Sequence, residues 1–328
     1  MNYRKFGNTG LLVSEIGFGA WAIGGGAMIG NTAIGWGEAN DDESKKAIHR
    51  SLDLGINFFD TADIYGIGHS EELIGELLGN KKDVIIATKV GNVSRNDQFS
   101  IDYSKEYILK ACDESLKRLK RDTIDYYQLH TARVSHLQGD CLQAMELLQQ
   151  QGKIRYWGIS LNTFDPFPEA DFFMEQKIGA GFQLVLNILN QKALPIIKNA
   201  SGAGYGIIAR MPLQFGMLTG KFDDAVSFPD NDHRKKRMTT EVVEKANKAL
   251  EPVWQLCKKY GLNKTQLSLS YILSYDEVST VSPGIRTATH AENNVEGLVR
   301  LEKNDRDLIE QLGKGRFVTV MDMIQKQG

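Results

Sequence analysis

The stretch INFFDTADIYGIGHSEELIG, residues 56–75, decides how this chain is read. Its first five residues are a short apolar run that ends on an acid, Asp60, and a phenol, Tyr65, follows in the next turn. Two later runs finish in the same manner. VIIATK (residues 84–89) ends on the amine of Lys89, and IDYYQLH (residues 124–130) ends on the imidazole of His130. Short apolar runs with little alternation read as strands buried on both faces, which is the pattern of a parallel sheet. As neighbouring parallel strands, the three would bring four polar groups to one mouth.

Outward from this stretch, the same kind of run recurs along the chain. The eight runs are VSEIGFGAW (13–21), INFFDTAD (56–63), DVIIATKV (83–90), IDYYQLH (124–130), IRYWGIS (154–160), GFQLVLN (181–187), YGIIARM (205–211) and VSTVSPGI (278–285). Amphipathic segments separate them. Asp42 is positioned to cap a helix over residues 44–52, and Ser104 one over residues 105–120. Residues 136–151 carry Leu137, Cys141, Ala144, Leu147 and Leu148 on one stripe and read as a single helix. Eight strands alternating with helices predict an α/β fold, a (β/α)8 TIM barrel, with residues 1–328 as a single domain. An N-terminal hairpin lid, long mouth loops at residues 22–40 and 220–240, and a C-terminal helix near residues 305–325 complete the expectation. An open doubly wound sheet would need a Gly-x-Gly-x-x-Gly turn after its first strand. Gly24-Gly25-Gly26 does not supply that spacing.

Composition narrows the function classes. The chain has 328 residues, 42% hydrophobic and 24% charged, with a formal net charge of −2. That is enough for a large core, and it offers no basic excess for nucleic acid or an acidic membrane surface. No apolar run approaches the ~18 residues of a membrane span. The N-terminus lacks the apolar core of a signal peptide. The three cysteines, Cys112, Cys141 and Cys257, are far apart and show no Cys-x-x-Cys or zinc spacing, which suits reduced thiols in a cytoplasmic protein. The six histidines show no ligand spacing, so no metal is expected.

In a (β/α)8 barrel, reactive groups gather at the C-terminal ends of the strands. Tyr65 is the phenol with a cation candidate nearby, Lys89. An ammonium beside a phenol favours the phenolate and lowers its pKa from about 10. Asp60 would hold Lys89 charged, and His130 would donate a hydrogen bond to a substrate carbonyl. Together these are the parts of a carbonyl-reducing site. A Schiff-base aldolase using Lys89 is the competing chemistry, and a non-catalytic binding module is the competing class. Trp21 and Trp36 are candidates to line the substrate pocket with Tyr65 and His130, whereas Trp157 and Trp254 read as core residues.

The wording around the four residues, FFDTADIYGIGHSEELIG, ATKVG, QLH and WGIS, resembles the aldo-keto reductase family, and the resemblance runs from about Arg4 to Leu298. It implies that Tyr65 is the general acid in reduction and the base in oxidation. Lys89 and Asp60 would tune Tyr65, and His130 would orient the carbonyl. It also implies NADPH as cofactor, with NADH as the alternative, held without a Rossmann fold, and a small carbonyl or alcohol as substrate. Ser160, Asn162 and Gln183 resemble the residues that bind the nicotinamide carboxamide, beside Trp21 and Asp60. The segment from Ala209 to Lys221 resembles the pyrophosphate loop, with Pro212, Leu213, Gly216, Leu218 and Lys221 facing the cofactor. Arg210 stands where many relatives carry an aromatic residue, and its guanidinium plane would stack on the nicotinamide. Residues 282–294 resemble the segment that holds adenosine and its 2′-phosphate. There Arg286 would clamp the phosphate, joined by Gly284, His290, Asn293 and Asn294. The basic cluster at residues 233–237, with Arg234, would fold over the same phosphates. Potassium-channel beta subunits, relatives that hold the cofactor as regulatory partners, supply the binding-module alternative. Oligomeric state leaves no signature in the sequence.

Overall fold

The computed structural model describes residues 1–222 and 226–327; Asp223, Asp224 and Ala225, part of the 220–240 loop, and Gly328 lie outside the described residues. Eight parallel strands form one sheet in chain order: β1 (Phe18–Gly19), β2 (Phe58–Asp60), β3 (Ile85–Val90), β4 (Ile124–His130), β5 (Ile154–Ser160), β6 (Gly181–Val185), β7 (Gly206–Arg210) and β8 (Thr280–Ser282). Parallel bridges from Ile16 to Val281 and from Gly19 to Gly284 join the last strand's segment to the first and close the barrel. Each of the eight apolar runs supplies one strand. The first run is divided: Leu12–Ser14 belongs to an antiparallel hairpin with Tyr3–Lys5, and Trp21 begins a 3-10 turn.

Helices follow the strands in turn and cover the barrel: Asp41–Asp53, His69–Leu78, Lys105–Leu119, Cys141–Gln150, Phe167–Gln176, Leu194–Gly202, the pair Thr240–Tyr260 and Lys264–Leu273, and Ala288–Val295. With helices outside and side chains inside, β3 and β6 are buried at every position.

Several local expectations are corrected. The first helix is capped by Asn40, whose side chain accepts from the Glu43 amide, and Asp42 lies inside the first turn near the positive end of the helix dipole. Ser104 caps its helix as expected, through the Tyr107 amide. Residues 136–151 form two helices, Val134–Leu137 and Cys141–Gln150, because the chain turns at residues 138–140 around Gly139. The C-terminal helix is likewise two, Lys303–Lys314 and Val318–Lys326, with a break at Gly315. The second packs on Thr240–Tyr260, and Gln191 Nε2 donates to the Ile309 carbonyl at 2.9 Å, so this segment flanks the barrel and does not wall its mouth.

The N-terminal hairpin forms as expected, and it closes the floor of the barrel. Phe6 is fully buried and packs edge-on against Tyr126 at 4.9 Å, in a cluster with Leu11, Val13, Phe58, Ile85, Ala87 and Ile208. Its ring lies against the starts of β6 and β7. A Cβ at Gly181 or Gly206 would stand 2.7 or 2.5 Å from that ring, so both strands must begin with glycine.

Above this plug the interior turns polar. Side chains alternate along a strand, so Tyr126, Gln128 and His130 share one face of β4. Register then sets neighbours: Gln128 beside Lys89, His130 beside Ser160, Ser160 beside Gln183, and Arg210 beside Ser282. The loop that carries Tyr65 is fixed at both ends. The Ser70 hydroxyl donates to the Ala20 carbonyl at 2.9 Å and lies 2.8 Å from the Thr61 hydroxyl. Gly66, at φ +64°, comes so close to Gly24 that a Cβ would sit 2.3 Å from the Gly24 carbonyl oxygen.

Behind this loop, the fully buried Glu71 accepts from Thr88 Oγ1 at 2.5 Å and from Arg118 Nε at 2.7 Å. It joins helix His69–Leu78 to β3 and to helix Lys105–Leu119. Removing one partner of such a pair strands the other and typically costs 3–5 kcal/mol; with Arg118 partly exposed, Glu71→Ala should lower unfolding stability by about 3 kcal/mol, read from urea denaturation. A loss near zero would mean that the pair does not hold these elements together.

Candidate active site

Lys89 ends the inward row of β3 and is fully buried. Its ammonium donates to Asp60 Oδ2 at 2.8 Å, to the Thr61 carbonyl at 2.7 Å and to the Tyr65 hydroxyl at 3.4 Å. Gln128 Nε2 donates to the second Asp60 oxygen at 3.2 Å. Every proton of the ammonium thus has an acceptor, and Asp60 is held from two sides. Burial alone would lower the Lys89 pKa. Asp60 and Tyr65 outweigh it and raise it above the ordinary lysine value, so the amine stays charged.

The sequence predicted a lowered Tyr65 pKa, and here the balance is the other way. Burial raises the phenol above its usual value of 10.0, and the pull of Lys89 only partly offsets this. Tyr65 is therefore a protonated acid through the neutral range. His130 lies edge-on to its ring at 5.9 Å. Burial, reinforced by Lys89 and Arg210, pushes the His130 pKa well below 6.5, so its imidazole is neutral. The Tyr103 hydroxyl donates to the His130 carbonyl at 2.6 Å and fixes the end of β4. A neutral imidazole beside a protonated phenol can polarise a carbonyl oxygen without competing to protonate it.

Asp60, Tyr65 and His130 line a cavity of about 780 Å³, and Lys89, fully buried, lies behind them and does not line it. Trp21 stacks on Tyr65 at 5.7 Å and meets Trp36 edge-on at 5.4 Å. Of the other residues proposed from sequence, Gln183, Arg210, Pro212, Leu213, Gly216, Lys221, Arg234, Gly284, Arg286, His290, Asn293 and Asn294 line the same cavity. Ser160, Asn162 and Leu218 do not. Ser160 donates to Gln183 Oε1 at 3.3 Å, Leu218 is fully buried, and the Asn162 side-chain oxygen accepts from the amides of Phe164 and Asp165 at 3.0 Å each. Arg210 donates to the Leu161 carbonyl and to the Thr163 hydroxyl at 3.1 Å each.

Residues lining the cavity carry buried polar atoms with no partner among the described residues: Gln183 Nε2, Ser282 Oγ and Asn294 Nδ2. Such atoms are costly when unpaired. Spread along one cavity, they suit a long polar ligand, and a nicotinamide dinucleotide fits that description. The Gln183 amide lies at the end near His130, through Ser160, and Asn294 and Arg286 lie in the segment after β8.

Two loops close over the mouth. The 22–40 loop forms a small hairpin, Met28–Ile29 with Thr32–Ala33. Trp36 bridges Asp232 across the mouth, and the His233 amide donates to the Gly35 carbonyl at 3.0 Å. Arg286 donates to the Trp36 carbonyl at 3.3 Å and to the Glu38 carbonyl at 2.6 Å. Arg234 is bound to Asp232 at 2.6 Å and lies between the rings of Trp36 and Phe228, at 4.8 and 4.5 Å, so here it ties the two loops together.

Sequence reasoning missed part of the wall. A second hairpin, Asn92–Arg95 with Gln98–Ile101, follows β3 and contributes Asn92 and Phe99 to the cavity. Its signal was available: Asn96 and Asp97, both at positive φ, form a two-residue hairpin turn between two β-prone stretches. Phe215 is not marked by any local pattern, and His233, expected only as part of the basic cluster over the phosphates, lines the cavity with its ring among aromatic side chains. The described cysteines are free, with Cys112 and Cys141 buried, and Trp157 is 5% exposed, a core residue as predicted.

Comparisons with known proteins agree with the fold. The sequence profile described as Aldo/keto reductase family matches residues 15–314. An uncharacterized oxidoreductase of Bacillus subtilis, YqkF, is 30% identical over 302 residues, covering 90% of this chain and 90% of its own. Among solved structures, the glycerol dehydrogenase AKR11B4 from Gluconobacter oxydans superposes with a TM-score of 0.79 at 28% identity, over 97% of this chain and 96% of that one. The holo form of the aldo-keto reductase AKR11C1 from Bacillus halodurans gives 0.76 at 26% identity, over 95% and 96%. With the buried Asp60–Lys89 pair under Tyr65 at the C-terminal mouth of an eight-stranded barrel, and a family match over nearly its whole length, this chain belongs to the aldo-keto reductase family of oxidoreductases.

Proposed function

We propose that this protein is an NADPH-dependent reductase of aldehyde or ketone carbonyls that also runs in reverse, with Tyr65 as general acid in reduction. The observation that carries the reading is the Lys89 ammonium, fully buried and shared between Asp60 and the Tyr65 hydroxyl. Bound nicotinamide supplies the hydride. The chain's own groups do the rest. His130 orients the carbonyl oxygen, Tyr65 donates its proton to that oxygen as negative charge develops, and Lys89 stabilises the phenolate left behind. Trp21 and the two mouth loops exclude water from the reacting atoms.

Gln183, Ser282 and Asn294 would pair their unsatisfied atoms with the dinucleotide, and Ser160 would orient Gln183. Leu213, Gly216 and Lys221 would face the pyrophosphate, and Arg286 the adenosine 2′-phosphate, because a planar guanidinium matches phosphate oxygens. On this reading Arg286 exchanges the Trp36 and Glu38 carbonyls for the phosphate.

The Schiff-base alternative needs a free amine. Lys89 is held charged by a carboxylate and two further oxygens, which counts against it. We also infer a cytoplasmic enzyme of one domain; among the described residues no helix is long and apolar enough to cross a membrane.

Tyr65→Phe should cut carbonyl reduction by at least ~10²-fold, the usual scale of positioned acid catalysis, while NADPH still quenches the protein's fluorescence. Retained turnover would move the proton to another group. In the second test, Arg286→Ala should weaken NADPH binding about tenfold and NADH binding far less, since one charge-assisted phosphate contact is lost only for NADPH. Equal losses for both would put the 2′-phosphate elsewhere.

A further inference from the structure

His233 is 4% exposed, lies on the cavity wall, and is not explained by the reaction just described. Its ring stacks on Trp21 at 4.4 Å and meets Trp36 and Phe215 at 4.8 and 5.1 Å. Arg237 Nη1 lies 2.7 Å from His233 Nδ1. A guanidinium can only donate, so Nδ1 must accept, and the ring proton must sit on Nε2. That Nε2–H has no partner among the described residues. Burial and the neighbouring Arg237 push the His233 pKa down to about 3, so the ring does not escape the problem by charging.

Beside it, Trp36 Nε1–H is also buried without a partner among the described residues. Two N–H donors are thus unpaired on one wall of the cavity that holds Tyr65 and His130. Each costs free energy until an acceptor arrives. The surrounding surfaces are flat aromatic rings, which suit the C–H faces of a short carbon chain, and neither donor is needed to hold the carbonyl oxygen.

Resting on the carbonyl-reductase reading, we propose that His233 Nε2–H and Trp36 Nε1–H are substrate-recognition donors, and that the substrate is a hydroxylated aldehyde or ketone whose hydroxyl oxygens accept from them. A site built to hydrogen-bond a hydroxyl discriminates against the analogue that lacks it, because the donors are then left unpaired. An alternative acceptor with the same chemistry is a phosphate oxygen of the cofactor, and the test separates the two.

The experiment compares kcat/KM for glyceraldehyde and for propanal, with NADPH, in the wild-type protein and in His233→Phe, His233→Gln and Trp36→Phe, alongside NADPH binding by fluorescence. The wild type should favour glyceraldehyde by roughly tenfold or more, about the worth of one good hydrogen bond. His233→Phe, which keeps a flat ring against Trp21, should lower that preference roughly tenfold, and Trp36→Phe should lower it as well. His233→Gln, which retains a donor, should keep most of it. A wild type without the preference overturns the inference even if no variant folds. So does a preference unchanged in His233→Phe, or a loss accounted for by weaker NADPH binding, which would assign the donor to the cofactor. If neither aldehyde is reduced although NADPH binds, the carbonyl-reductase reading fails and this inference with it.

Discussion

The Asp60–Lys89 ion pair is the constraint on which the site depends. A charged amine with no solvent exposure is tolerated only when each of its protons finds an oxygen. The barrel supplies these from two adjoining elements: the end of β2 gives the carboxylate, and the loop after it gives the Thr61 carbonyl and the Tyr65 hydroxyl. The pair therefore does two things. It pins the loop that carries the phenol, and it keeps a positive charge beneath the oxygen that, on the proposed reading, loses a proton. Gln128 on β4 holds the other side of Asp60, so three successive strands share one polar network above the Phe6 plug.

The mouth is governed by a second set of contacts, weaker and further apart in sequence. Trp36, Asp232, His233 and Arg234 join the 22–40 loop to the 220–240 loop, and Arg286 reaches from the segment after β8 to hold the same strip of backbone. If the cofactor and substrate bind as proposed, both are linked to loop position through these residues. On the proposed reading, the arginine that meets the 2′-phosphate releases the backbone of the loop that walls the substrate. His233, which stacks on Trp21, sits where the two loops meet beside Tyr65.

The barrel was legible because its determinants are local. Each strand is a short apolar run, and the C-terminal ends of three runs carry Asp60, Lys89 and His130. The polar roof of the interior follows from strand alternation alone. What was not legible depends on where loops meet. Nothing around His233 says that its ring will lie on Trp21, more than two hundred residues earlier. The basic cluster read as a phosphate cover, yet Arg234 is committed to Asp232 and to two aromatic rings. The Tyr65 pKa was misread for a related reason: the ammonium could be inferred from sequence, but the depth of burial that outweighs it could not. The Asn96–Asp97 turn was a local signal that was overlooked, and the hairpin it builds adds Phe99 to the cavity wall.

The most direct test of this account is the single-turnover rate of carbonyl reduction by NADPH in Lys89→Met, a near-isosteric change that removes the buried charge. If the ammonium stabilises the Tyr65 phenolate, the rate should fall by ~10²-fold or more while NADPH still binds, in keeping with the usual scale of acid–base catalysis. A folded variant that binds NADPH and reduces the carbonyl near the wild-type rate would contradict the account at its centre.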